Sequence, residues 1–410
     1  MKPQTRLLHV DRDAGSPNGE LHAPVSRNIA YHYDRCADIE QVFQGRMKGY
    51  TYGRQANPTV AALERKITLL EEGTDTAAFA TGMGAISAML FALLKAGDHV
   101  VASSFLFGNT RSLFESFGRF GVDVSFVDAT DVGQVAAVVN DRTRLVFVET
   151  IANPRTQVAD LKAIGALCGE AGLLYVVDNT MTTPSLFKPA TLGAGFVVNS
   201  LSKYMAGHGA CLGGSLTDTG RFDWSRFDNI LDVYRSQPAP SQGLHQVRKK
   251  GLRDMGSTLS PDSANLVALG LETLNLRMER ISTNALALAR FLSAHDGIHK
   301  VHYPGLSEHR EHARAAELFG AFSGLMSFEL AEHVDLHRFI DGLQAFACSS
   351  NLGDNRSLLI PVASTIFHEM GPQKRREMGI ADQLIRLSVG LEAVDDLCED
   401  VGKAIELATV

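Results

Sequence analysis

The residues able to do chemistry gather in a few short stretches. Asn199-Ser200-Leu201-Ser202-Lys203-Tyr204 follows the apolar run Gly195-Phe196-Val197-Val198. A short, β-branched run reads as a buried strand. A strand of an open α/β sheet delivers its last residues to the crevice at the carboxyl edge, where such folds bind ligands. Lys203, held there among hydroxyls and apolar walls, is a candidate Schiff-base amine. Leu173–Val177 reads as a similar strand and leads into Asp178, a carboxylate able to pair with a protonated ring nitrogen or to cap a loop. Glu149, ahead of Asn153-Pro154, ends Val146-Phe147-Val148 on the same edge. Thr81-Gly82-Met83-Gly84 opens a helix, whose unpaired N–H groups and dipole attract phosphate. The glycines serve a tight turn equally well, and the spacing is neither a dinucleotide fingerprint nor a Walker loop. Arg386 interrupts the apolar run Leu384–Val389. A buried guanidinium needs an anion, either a substrate carboxylate or an internal Asp or Glu.

These groups need a scaffold to hold them. Strand patterns at His99–Ala102, Val122–Val127, Leu145–Glu149, Leu173–Val177 and Gly195–Asn199 alternate with helix patterns, which predicts a mostly parallel sheet covered on both faces. Asn57 caps a predicted helix with Pro58 in its first turn. Asp160 and Gly172 bracket another. Residues 1–50 have weak periodicity and read as an extended N-terminal arm. Residues 51–250 form the predicted large domain. Residues 251–410 form a smaller α+β domain, opening with an interrupted helix over Asn265–Ser293 and closing with one over Glu392–Leu407. The polar stretch Asp218–Pro261 marks the boundary.

Composition narrows the function. The 410 residues are 45% hydrophobic and 21% charged with a net charge of -7, which argues against nucleic-acid or anionic-membrane partners. Five scattered cysteines, without metal-site spacing, suit a reduced cytoplasm and exclude a disulfide framework. No metal ligand set, signal peptide or membrane span is evident. Phosphate donors, a strand-end carboxylate, a hydroxyl-flanked lysine and a late arginine, in that order, are what an aldehyde cofactor with a phosphate and a pyridine ring needs.

The chain thereby resembles the Cys/Met-metabolism family of pyridoxal-phosphate enzymes, which includes cystathionine γ-synthases, cystathionine and methionine γ-lyases and O-acylhomoserine sulfhydrylases. The motifs are Tyr-x-Arg-x-x-Asn-Pro-Thr at 52–59, Thr-Gly-Met at 81–83, Val-Asp-Asn-Thr at 177–180, Ser-x-Ser-Lys-Tyr at 200–204 and Gly-Leu-Glu-Thr-Leu at 270–274. The resemblance implies an aspartate-aminotransferase-like fold of type I and a homotetramer built as a dimer of dimers. It implies that Lys203 carries pyridoxal 5'-phosphate (PLP) and acts as the catalytic base, and that Asp178 holds the ring nitrogen. Gly82, Met83, Ser200 and Ser202 would bind the phosphate, with Tyr52 and Arg54 reaching it from a neighbouring subunit. Asn153 would sit by the ring hydroxyl, and Asn351 and Arg386 would take the carboxylate of an amino-acid substrate.

Two departures direct the choice within the family. Phe107 stands in Phe107-Gly108-Asn109-Thr110, where many members carry a ring-stacking tyrosine; Phe stacks but moves no proton. The loop Ser349-Ser350-Asn351-Leu352-Gly353-Asp354 is more like the sulfhydrylases than the synthases. The expectation is γ-replacement on an O-acylhomoserine by sulfide or a thiol. The alternatives are γ-elimination from methionine or another γ-substituted 2-aminobutyrate and, from another class, a non-catalytic PLP-binding subunit. Arg356 reads as a solvated surface residue and His208 as structural.

Overall fold

The computed structural model describes residues 1–13, 18–236 and 238–409. Its first sheet contains β1 (Asp75–Phe79), β2 (His99–Ser103), β3 (Asp123–Val127), β4 (Thr143–Glu149), β5 (Leu174–Asp178), β6 (Phe196–Asn199) and β7 (Gly214–Asp218). The order is β1-β7-β6-β5-β4-β2-β3. The run from β6 to β3 is parallel, while β7 pairs antiparallel with both β1 and β6. Alternate side chains enter separate cores. Val146, Val148, Tyr175, Val177 and Val197 face one apolar cluster, and Leu145, Phe147, Leu174, Val176 and Phe196 face another. This two-sided burial is why the strands read as continuous apolar runs.

The expected helices are present. Asn57 caps α3 (Pro58–Glu71) by accepting from the Thr59 and Val60 N–H groups, and Thr81 caps α4 (Gly82–Leu93) through the Gly84 N–H. Pro261–Glu272 and Leu274–Ser293 are separate helices broken at Thr273. The second sheet contains β8 (Ile298–His302), β9 (Leu325–Leu330), β10 (Ala347–Cys348), β11 (Leu358–Pro361) and β12 (Leu384–Ser388), in the order β10-β11-β12-β9-β8.

One region differs from expectation. The first fifty residues contain the helices α1 (Pro3–Asp13) and α2 (Cys36–Phe43). Leu7 of α1 enters the core beside Leu63 and Ile67, and Asp11 pairs with buried Lys66 at 3.0 Å. One apolar anchor and one ion pair leave no periodic trace in the sequence. The polar stretch after Asp218 packs on the first sheet's layer, where Gly251 sits so close to α4 that a Cβ would stand 2.4 Å from the Ala88 carbonyl oxygen.

Candidate active site

The parallel register sets β4, β5 and β6 side by side, with Glu149 opposite Asp178 and Val198 opposite Asp178. Glu149, Asp178 and Ser200 therefore emerge together at the carboxyl edge. Two residues outside the predicted set tie these ends. The Thr180 N–H donates to Asp178 Oδ1 at 2.9 Å, and Thr180 Oγ1 accepts from the Ser200 N–H at 2.8 Å. Fully buried Glu71, at the end of α3, accepts from Asn199 Nδ2 at 2.7 Å and Asn179 Nδ2 at 3.3 Å. Burial raises the Asp178 carboxyl, and its hydrogen bonds to Thr180 oppose that rise.

Lys203 lies in the turn after β6. Arg277, buried in the helix Leu274–Ser293, clamps that turn by donating to the carbonyls of Tyr204 at 2.6 Å and Met205 at 3.2 Å. It also donates to the Gly270 carbonyl at 2.6 Å, so Gly-Leu-Glu-Thr-Leu is a docking surface for the lysine turn. The loop 349–355 closes over it. Gly353, at φ +72°, lies where a Cβ would be 2.5 Å from the Tyr204 nitrogen. Lys203 Nζ donates to Asn351 Oδ1 at 2.7 Å. Burial, then the nearby Arg386 charge, lowers the amine to about 8, so a neutral, nucleophilic form is accessible near neutral pH.

Arg386 is 2% exposed on β12. Its Nη2 donates to the carbonyls of Ser350 at 2.7 Å and Asn351 at 2.9 Å, while its buried Nε has no partner. Among the described residues no carboxylate pairs with it. Burial lowers its pKa to about 10. A guanidinium buried without an anion is costly, and an incoming carboxylate would relieve that cost. The internal ion pair that the sequence left open is absent.

At the other end of the crevice, α4 begins against the β6 terminus, and a Cβ on Gly82 would stand 3.0 Å from that of Ser200. Met83 follows in the first turn. The Ser202 hydroxyl accepts from the Gly213 N–H at 2.9 Å and points its proton at the Gly213 carbonyl, 3.3 Å away, so an anion would have to claim that proton. Tyr52 and Arg54 are exposed, with the guanidinium 5.4 Å from the Tyr52 ring centroid and bonded to the Arg253 carbonyl. Their recorded contacts lie outside the Lys203 site. Phe107 immediately precedes helix α5 (Gly108–Phe117), and its N–H donates to Glu149 Oε1 at 2.9 Å. Asn153 is buried with Oδ1 unpartnered. Arg356 is exposed and paired to Asp354 at 3.2 Å, and His208 bonds the Ala206 carbonyl.

The donor set suits PLP. A helix start faces a serine-bearing strand end, and half-buried Asp178 has no cationic side chain on it among the described residues. Asn153 offers an unpartnered amide oxygen, and a depressed amine lies on the same edge. A cationic ring, a phosphate and an aldehyde complement those groups in turn.

The family described as Cys/Met metabolism PLP-dependent enzyme matches residues 4–406. The chain belongs to that family. Members of the Cys/Met-metabolism PLP enzymes similar to it include the O-acetyl-L-homoserine sulfhydrylase of Leptospira meyeri, 35% identical over 99% of this chain and 97% of its own. The L-methionine gamma-lyase of Pseudomonas putida is 36% identical over 98% and 96%. Among solved structures, a Campylobacter jejuni protein provisionally called an O-acetylhomoserine (thiol)-lyase superposes with a TM-score of 0.89 at 32% identity, over 99% of this chain and all of its own. It carries N'-pyridoxyl-lysine-5'-monophosphate. The protein is thus a fold-type I, PLP-dependent enzyme of sulfur amino-acid metabolism. No helix among its described residues is long and apolar enough to cross a membrane.

The set of assigned site residues missed Glu71, Arg277 and Thr180, the last of these although it closes the Val-Asp-Asn-Thr motif. For Arg277 a signal existed: it lies on the same helix face as Leu274, Met278 and Ile281, an apolar stripe on which a charge needs a reason.

Proposed function

We propose that the protein replaces the γ-acyloxy group of an O-acylhomoserine by sulfide or a thiol, as an O-acylhomoserine sulfhydrylase-like enzyme. The observation carrying this reading is Phe107, half-buried at the start of α5 with its N–H held on Glu149. A phenyl ring can cover a cofactor face but cannot protonate a leaving group. An acyl group departs as a carboxylate, of pKa about 4, and needs no proton; a thiolate, of pKa about 8.5, gains from one. An ester substrate matches Phe107 better than a thioether.

In this reading Gly82, Met83, Ser200 and Ser202 hold the phosphate of PLP, Asp178 its ring nitrogen, Asn153 its ring hydroxyl and Lys203 its aldehyde carbon. Tyr52 and Arg54 serve the phosphate of a second copy. When bound, PLP supplies an electron sink beside the substrate amine. Arg386 takes the substrate carboxylate and fixes its α-carbon near Lys203. Lys203 Nζ, its charge already disfavoured by burial, accepts the α-proton and returns protons to neighbouring carbons. Asn351 orients both groups through its side chain and its carbonyl. Over one turnover the γ C–O bond breaks, the carboxylate leaves with the electron pair, and hydrosulfide forms the new C–S bond.

Gamma-elimination is the second reading, since methionine γ-lyases stand among relatives of similar identity. Phe107→Tyr separates the two. The account expects the variant to gain on methionine relative to O-acetylhomoserine, by roughly tenfold in the ratio of initial rates. An unchanged ratio would remove Phe107 as the reason for ester preference.

A further inference from the structure

Glu149 is used by no step above, yet it touches much of the ring end of the site. Its Oε1 accepts from the Phe107 N–H at 2.9 Å, and the Asn153 main chain lies near enough to favour its charged form. It stands opposite Asp178 in the β4–β5 register. Its Oε2 is buried without a partner, and no basic side chain pairs with it among the described residues. One side chain therefore links the residues assigned to the ring face, the ring hydroxyl and the ring nitrogen.

We propose that Glu149 is a positioning residue held as a neutral carboxylic acid, which fixes Phe107 through Oε1 beside Asn153 while leaving the negative charge of the pair on Asp178. Two adjacent carboxyls, one buried and one half-buried, with no cation paired to either among the described residues, resist ionising together. Asp178 accepts hydrogen bonds from Thr180, which favour its charged form. Glu149 accepts one main-chain N–H, that of Phe107, and with Oε2 buried and given no donor little offsets the cost of a charge there. Burial, then the Asp178 charge, raises Glu149 to about 8. A neutral Glu149 keeps a single anion facing a protonated ring nitrogen, so the ring remains an electron sink without a second charge competing for its proton. This inference rests on the assignment of Asp178, Asn153 and Phe107 to the cofactor.

The test compares Glu149→Gln and Glu149→Ala as holoenzymes, reading PLP dissociation and the pH midpoint of the bound cofactor's visible band. Glutamine mimics the neutral acid and keeps the Oε1 acceptor. Its midpoint is expected to stay within about 0.3 pH units of wild type. Alanine leaves the Phe107 N–H unpaired and opens space beside Asn153, and PLP affinity is expected to fall about tenfold or more. A glutamine midpoint displaced by about one unit or more would overturn the proposal, because Glu149 would then carry charge. So would an alanine variant that binds PLP and absorbs like wild type. Should alanine fail to fold, the glutamine midpoint decides alone. Asp178→Asn is the control for the underlying assignment: if it leaves affinity and spectrum intact, the site reading fails, whatever Glu149 does.

Discussion

The residues at the site are governed by charge in a buried crevice. Arg386 lacks an anion, Asp178 lacks a cation and Lys203 is pushed toward neutrality. Each deficit is unfavourable alone and is relieved by a ligand with the opposite group. Glu71 shows the same physics beneath the site. Burial raises it to about 7 from an ordinary 4.5, against its bonds to Asn199 and Asn179. The folded state therefore binds more protons than the unfolded chain between those values, and this contribution to stability falls as pH rises from about 4.5 through about 7. In thermal unfolding of the apoprotein, Glu71→Gln is expected to gain on wild type as pH is raised from 5 to 8, with a slope of at most about 1.4 kcal/mol per pH unit. A difference that does not change with pH would mean that Glu71 is ionised throughout. The chemically explicit residues Lys203, Asp178 and Arg386 were legible in the sequence because a charge at or within an apolar strand is conspicuous. Glu71 was not, because it bonds residues on distant strands and its neighbours in sequence say nothing of it; Thr180 stood in a motif, yet its tie to Ser200 crosses to the next strand.

At the level of elements, apolar alternation with helices announced the parallel sheet, and the cap at Asn57 fell where its side chain predicted. What stayed hidden was how elements dock. The lysine turn depends on Arg277, whose guanidinium satisfies three buried carbonyls. Arg277→Met keeps the length of the side chain and removes its donors. It is expected to cost about 3 kcal/mol, measured by urea unfolding of the apoprotein, and to weaken PLP retention because the turn bearing Lys203 is no longer clamped. Unchanged stability would show that the carbonyls find other donors. The helix α1 was hidden for a related reason: its docking rests on Leu7 and the Asp11–Lys66 pair rather than on an amphipathic stripe.

For the whole molecule, one chain presents Tyr52 and Arg54 on its surface with no recorded contact to its own Lys203 site, which accords with the proposal that they complete the site of a second copy. Subunit mixing tests this. Lys203→Ala and Arg54→Ala proteins are each expected to be nearly inactive. Refolding or co-expressing them together should restore part of the activity, because some hybrid sites then carry both an intact Lys203 and an intact Arg54. No recovery in verified hybrids would place Arg54 in its own chain's site. The division of the chain near residue 250, read from composition, is retained only as a proposal.

The central claim is γ-replacement on an ester of homoserine, and product analysis on PLP-loaded protein addresses it most directly. O-acetylhomoserine, O-succinylhomoserine, methionine and cystathionine are each supplied with and without sulfide, and homocysteine and 2-oxobutyrate are assayed. The account predicts homocysteine from an O-acylhomoserine only when sulfide is present, with little 2-oxobutyrate from methionine. Rapid, sulfide-independent 2-oxobutyrate from methionine or cystathionine, with no homocysteine from either ester, would contradict it.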